Sequence, residues 1–243
     1  MQVRAKPILE KNISYLAAET KYVQVAGSKK PNVLQQNVPA WSLFGMFFIV
    51  IPLAGIMVRE RHLGIMQRLR LAPVGMLTLY SGRVAAFVIV NLCQLFLMLV
   101  MGSTVLPAMG LGEFAFMPYF WPMLVVGVAA SLAATSFGVL LGNISRTQQQ
   151  ATFLGPFIAV IAAAVGGIFV PVEIMPKALV PWVNTSPLHW AQASFLNIFV
   201  RHQTLHSHLI IMNLAKLVIF AGCCLLLAAV LGRFYRPGSR TAS

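Results

Sequence analysis

Five stretches of this chain are too long and too apolar to face water. They are residues 41–58, 84–106, 120–141, 151–170 and 209–231. A helix needs about 20 apolar residues to cross a bilayer, and each stretch is close to or above that length. The first four hold no charged residue, and the fifth holds only Lys216. Lys216 lies about two turns from the end nearer His208, within reach of the interface for a snorkelling side chain. In hydrocarbon every backbone polar group must be paired inside the protein, so only helices and closed barrels span. The stretches lack the apolar–polar alternation of a barrel strand. The fold class that follows is an all-α integral membrane protein, a helical bundle of five spans. Composition agrees: 9% of residues are charged, against about 25% in a soluble domain.

Charge placement orients the bundle. The segment 59–83 carries Arg59, Arg61, Arg68, Arg70 and Arg83, the link 143–150 carries Arg146, and the tail carries Arg233, Arg236 and Arg240. With five spans these segments share one side and hold nine bases. The other side has Lys177 and Arg201 in the segment 171–208 and no base in 107–119. Basic loops stay in the cytoplasm. The expected location is a bacterial-type inner membrane, multi-pass, with a cytoplasmic C-terminus and tail at 237–243. Residues 1–40 then lie outside, although they carry Arg4, Lys6, Lys11, Lys21, Lys29 and Lys30. They form no signal peptide, because no apolar region precedes Trp41. Two readings follow: the orientation is reversed, or an earlier span is missing and residues 1–40 are the end of an external domain or an N-terminal segment.

The net charge of +13 raises the question of nucleic acid. The bases flank apolar runs, so anionic lipid is the simpler partner and no nucleic acid is expected. The five acids are Glu10, Glu19, Glu60, Glu113 and Glu173, and aspartate is absent. That excludes an aspartyl-phosphate pump within this chain. There is no G-x-x-x-x-G-K-[ST] loop, so this chain does not hydrolyse ATP. No carboxylate lies deep in a span, which argues against a proton-coupled carrier. Cys93, Cys223 and Cys224 lie in apolar runs and read as packing residues. His202, His206 and His208 have no acidic or thiol partner nearby in sequence, so no metal site is expected. No catalytic residues are expected.

Residues 59–73 read RERHLGIMQRLRLAP. As a helix this stretch is two-faced. Leu63, Ile65, Met66 and Leu69 fall in one sector; Glu60, Arg61, Gln67 and Arg68 fall in the other. Pro73 marks its end. Three readings fit: a helix resting on headgroups, an ordinary loop, or an element that docks into a cytoplasmic partner. In residues 166–193, prolines at 171, 176, 181 and 187 forbid one long helix, yet 170–183 is too apolar for a solvated loop. Short broken helices at the interface satisfy both constraints, and Trp182, His189 and Trp190 suit that depth.

Together the R-E-R-x-x-G turn with its A-P ending, and the later GGIFVP…SPLHW segment, resemble the permease of a type-2 ATP-binding-cassette exporter. A looser match is the polar link from Gly142 to Gln150. The resemblance covers residues 32–236 and places the permease domain at 41–236. It implies a cytoplasmic coupling helix that contacts an ATPase, carried here by Arg59, Glu60, Arg61, Gly64, Leu69 and Pro73. It implies re-entrant outer-leaflet helices before the last span, carried by Gly166, Gly167, Pro171, Glu173, Met175, Pro176, Asn184, Pro187 and Leu188. Where the family often has a hydroxyl residue and then an acid after the glycine, this chain has Ile65 and Gln67. The family has six spans, so the resemblance implies that the first is missing here. It also implies a second permease protomer, forming a homo- or heterodimer, and a separate cytoplasmic ATPase that binds ATP and Mg. This chain itself would bind no cofactor. Competing readings are a non-transporting anchor or assembly protein, and a truncated, inactive permease.

Small and polar residues complete the expectations. Gly155, Ala159, Ala163 and Gly167 recur every four residues along one helix face, and Gly127, Ser131, Ala134, Gly138 and Gly142 line another. Such faces bring backbones together in lipid. Pro156 predicts a kink. Asn91, Gln94, Thr135 and Ser136 are polar groups within spans, candidates for pathway lining or for bonds between helices.

Overall fold

The computed structural model describes residues 33–65, 68, 75–169, 175–176 and 178–234. Among these residues the chain is helical and without strands. The helices are α1 (Val33–Phe47), α2 (Val50–His62), α3 (Met76–Ala108), α4 (Phe120–Ile144), α5 (Gln148–Val165), α6 (Val180–Val183), α7 (Pro187–Phe199) and α8 (His208–Phe234). A 3-10 turn, Met117–Tyr119, leads into α4. Among the described residues five stretches are long and apolar enough to cross a membrane: Val33–His62, Thr78–Ala108, Met117–Ile144, Gln148–Val165 and His208–Gly232. They coincide with the five apolar runs and extend most of them by a turn or two.

The first span is two helices rather than one. Pro52 has no N–H to give the Phe48 carbonyl, and its ring crowds that carbonyl. The backbone tightens instead: Phe48 N–H donates to Gly45 O (3.1 Å), Ile49 N–H to Met46 O (3.3 Å) and Ile51 N–H to Phe48 O (3.0 Å). These three-residue bonds separate α1 from α2. Proline alone does not dictate such a break. Pro39 sits inside α1, and α5 is continuous through Pro156.

The central helix is α4, packed against α1, α2, α3, α7 and α8. Its small residues set the spacing. A Cβ on Gly138 would lie 2.7 Å from Leu53 Cδ2, and one on Gly142 would lie 3.2 Å from the Ala54 Cα. The backbones of α2 and α4 therefore approach as two ordinary side chains would forbid. On α5, Gly155, Ala159 and Ala163 are buried, with Gly155 against Val50 of α2. In lipid such contacts gain by close packing rather than by expelling water.

Short α7 lies inside this bundle, against α1, α4 and α8. Leu188, Ala191, Phe195 and Ile198 are fully buried. Lys216 of α8 has its ammonium 5.8 Å from the Trp190 ring centre of α7, a cation–π contact that places the one charge of that span beside an aromatic face.

Candidate functional site: the basic end of the bundle

The R-E-R motif forms the last turn of α2, continuous with the first span. The separate helix expected over residues 59–73 is therefore broken at Gly64. Leu63 N–H donates to Arg59 O (3.0 Å), and Gly64 N–H to Arg61 O (3.2 Å). Gly64 then adopts φ +69°, the left-handed conformation that ends helices and favours glycine. A new turn starts at once, since Arg68 N–H donates to Gly64 O (3.3 Å). Leu69 and Pro73 lie outside the described residues.

Two motif residues are engaged within the chain. The Glu60 carboxylate pairs with Arg83 in the first turns of α3. The Arg61 guanidinium donates to the carbonyl of Gly142, to that of Asn143 (3.3 Å) and to that of Ser145 (2.9 Å). These carbonyls belong to the C-terminal turn of α4, where acceptors lack intrahelical donors and the helix dipole is negative. Arg61 thus caps α4 from a neighbouring helix. His62 Nε2 adds a contact to Arg146 O (3.3 Å). Arg59 is exposed.

The link between α4 and α5 is held by its own caps. Gln150 N–H donates to Thr147 Oγ1 (3.1 Å), and Arg146 N–H donates to Gln150 Oε1 (2.9 Å). This is a variant of the capping box, with the glutamine reaching one residue further back. Tyr80 of α3 is buried and donates to Asn143 Oδ1 (3.0 Å), while Asn143 Nδ2 donates to Val139 O (3.1 Å). Gly232 of α8 sits against the Tyr80 hydroxyl: a Cβ there would lie 2.6 Å from the oxygen. The ends of α2, α3, α4 and α8 are thus joined through side chains. Tyr80 and Gly232 had no place in the sequence reading; Arg83 entered it only as one of the nine bases, and Asn143 only within the looser match from Gly142 to Gln150. Thr147 and Gln150 were legible as a T-x-x-Q pair.

The residues expected in the re-entrant segment gather at the other end. Gly166 N–H donates to Ala162 O (2.8 Å), and Ile168 N–H to Ala163 O (3.1 Å), with Gly167 at φ +83° between them. That is a Schellman ending of α5. The two glycines have different reasons. Gly167 supplies the left-handed backbone. A Cβ on Gly166 would meet the Ser186 hydroxyl at 2.8 Å and Ala162 O at 2.6 Å. Ser186, the N-cap of α7, donates to Ala162 O (3.1 Å), and Pro187 opens the helix. Asn184 O accepts from the Trp190 indole (2.7 Å), and Pro176 O accepts from Leu179 N–H (2.9 Å). Pro171 and Glu173 lie outside the described residues.

The polar residues within spans divide. Thr135 Oγ1 donates to Ser131 O of its own helix (2.7 Å). Gln94 of α3 places its amide nitrogen 2.5 Å from where a Cβ on Gly45 would stand. Asn91 and Ser136 are fully buried, and neither the Asn91 amide nor the Ser136 hydroxyl has a partner among the described residues. A buried, unpaired polar group costs on the order of 1–3 kcal/mol. Of the three histidines, His202 sits at φ +48° with Nδ1 2.5 Å from the Tyr119 hydroxyl. Among the described residues no cluster of three His, Cys, Asp or Glu is gathered.

Comparison with known proteins agrees with this architecture. Residues 2–230 match the family described as ABC-2 family transporter protein. Among curated proteins, the chain is 28% identical over 177 residues to the probable multidrug ABC transporter permease YbhR of Escherichia coli strain K12 and to its counterpart in strain O157:H7. The match covers 65% of this chain and 46% of each relative. The chain thus spans about half the length of the curated relatives it matches. With a multi-pass bundle and a family match over nearly its whole length, the chain belongs to the ABC-2 family of membrane transporter proteins.

Proposed function

We propose that this chain forms the membrane pathway of an ATP-binding-cassette exporter, with energy supplied by a separate cytoplasmic ATPase. Association with such a subunit is what the family implies. The observation that carries the reading is the joint at the basic end. Arg61 caps α4 from α2, and Glu60 of the same turn holds Arg83 of α3. Gly64 follows as a left-handed pivot. A push on the residues beyond Gly64 would reach three spans through one turn of helix, and coupling by rigid elements needs no chemistry of its own.

In this reading ATP and Mg are bound by the partner, and closure of the ATPase pair moves the segment 59–73. The bundle shifts between two packed arrangements, and cargo leaves the cytoplasm or inner leaflet. Two copies of the permease, identical or related, enclose the route. Asn91 and Ser136, buried within the bundle and without a partner among the described residues, are the polar groups that a shift of the bundle would turn toward it. Nine bases against two support a cytoplasmic basic end and C-terminus, and the proposed location is an inner membrane. The relatives are described as multidrug permeases, which makes lipophilic drugs and dyes the first cargo to try.

Affinity purification from membranes is expected to retain a P-loop ATPase. Reconstituted vesicles are expected to export a lipophilic dye only with ATP. If Glu60→Ala with Gly64→Val left both association and ATP-dependent export intact, the coupling role would be lost. If no ATPase were retained and no dye moved, a non-transporting membrane protein would be the better reading.

A further inference from the structure

A helix broken inside a bilayer must find new partners for the backbone groups it frees, because no bulk water reaches them there. The break between α1 and α2 frees two carbonyls. In an unbroken helix Phe44 O and Phe47 O would accept from the N–H groups of Phe48 and Ile51, which donate instead to Gly45 O and Phe48 O. A second unmet need lies on α3. Asn91 is fully buried, and among the described residues neither its amide nitrogen nor its amide oxygen has a partner.

Packing sets these groups at one level. A Cβ on Gly45 would lie 2.5 Å from Gln94 Nε2, and one on Gly102 would lie 2.7 Å from Val38 Cγ1. The two helices therefore run antiparallel, in a register that puts Asn91 level with Phe48, the first residue of the break. Gly102 lies eleven residues after Asn91, close to three full turns, so Asn91 sits on the face of α3 that meets α1. One turn along that face Leu95 packs on Gly127 of α4, which closes the junction against the central helix.

We infer that a water molecule binds at this junction and bridges Asn91 to the freed Phe47 carbonyl. It accepts from Asn91 Nδ2, donates one hydrogen to Asn91 Oδ1 and donates the other to Phe47 O. Three hydrogen bonds are the usual number for a buried water. The chemistry selects water over other small occupants. A cation would take the oxygens and leave the amide N–H groups unpaired, and an anion would do the reverse. Water both donates and accepts. Bonds through water are nearly as favourable in enthalpy as direct ones, and ordered water is one of the ways in which a broken span has its freed backbone satisfied. Such a bridge also lets the angle between α1 and α2 change without stripping either helix of a protein partner.

The test uses the full chain in bilayers of phosphatidylethanolamine and phosphatidylglycerol, read by solid-state NMR. Asparagine is isotope-labelled at its side-chain nitrogen, and phenylalanine at its carbonyl carbon and amide nitrogen. Phe47–Phe48 is the one Phe-Phe pair of the sequence, so the labelled carbonyl bonded to a labelled nitrogen is that of Phe47. The Asn91 signal is the one that Asn91→Leu removes. Magnetisation from water protons is expected to reach Asn91 Nδ2 about as fast as that of exposed Asn184, despite its burial, and to reach the Phe47 carbonyl as well. In Asn91→Leu, transfer to the Phe47 carbonyl should fall several-fold. An Asn91 amide that receives nothing from water would overturn the inference, leaving a dry junction. So would a Phe47 carbonyl that is silent in the native protein, or one that responds equally with and without the amide. Replacing sodium by N-methylglucamine should leave both signals in place; movement of either would make the occupant a cation and overturn the assignment to water. The readout needs neither ATP nor cargo, so it stands or falls separately from the export reading.

Discussion

The two ends of the bundle are joined by different physics. At the basic end the ties are long side chains reaching across gaps: Arg61 to the α4 carbonyls, Glu60 to Arg83, Tyr80 to Asn143. At the other end the ties are short. Ser186 reaches Ala162 O only because Gly166 has no side chain, and α7 is wedged among α1, α4 and α8. Rings add to it: Phe44 lies 5.1 Å from Phe169, and Phe114 4.9 Å from Phe199, centre to centre. Long arms tolerate small displacements and re-form. Glycine contacts tolerate none, since a packed interface is bistable rather than elastic. A bundle built this way keeps one end adjustable and the other end fixed.

Substitutions at four places test that contrast, from the largest expected effect to the smallest. Arg61→Ala strips the donor from three carbonyls at the α4 terminus and should cost about 3 kcal/mol, the range for bonds to a charged group. Unfolding of the purified protein in mixed micelles would measure it. Arg61→Lys should recover less than half, because an ammonium cannot copy the planar fork. Gly166→Ala should cost about 2 kcal/mol, typical of overpacking, since the new Cβ meets backbone at 2.6 Å. If it cost less than Ser186→Ala, the second end would be adjustable too, and the contrast would fail.

Gly64→Ala forces a left-handed residue and should cost about 1 kcal/mol. Its larger effect should be on ATPase stimulation by cargo, while Gly166→Ala should leave ATPase binding unchanged. Smallest is the ion pair. Glu60 and Arg83 side chains are 26% and 14% exposed, so a double-mutant cycle with Glu60→Gln and Arg83→Gln should give a coupling of roughly 0.5–1 kcal/mol. That value should shrink in high salt, whereas the cost of Gly166→Ala should not move.

Much of the fold was legible because length and apolarity fix a span with little help from context. The paired glycines at 166 and 167, and the proline-rich segment after them, pointed to a broken chain reversal that α6 and α7 now fill. The break between α1 and α2 was not legible. Pro39, Pro52, Pro107 and Pro156 look alike in sequence, and only Pro52 coincides with a break between helices. What decides is whether neighbouring helices bind the kinked form, and that is a tertiary matter. The R-E-R motif was visible, but its partners were not. Arg83 is 23 residues from Glu60 and Gly142 is 81 from Arg61, and no periodicity links positions on different helices. Nor was the break at Gly64 legible, because hydrophobic spacing is blind to one glycine at positive φ.

The break at Phe48–Ile49 has a mechanical consequence. Helix α2 is a rod of about 20 Å with a joint at each end, one at Gly64 and one beside Pro52. A rod held between two joints passes on tilt but not bending. A tilt of about 5° displaces its far end by roughly 2 Å over that length, and α1 need not follow. The first span is therefore a crank and its housing in one chain: α2 can tilt together with the part of α4 that it grips at Gly138 and Gly142, while α1 stays packed beside α7.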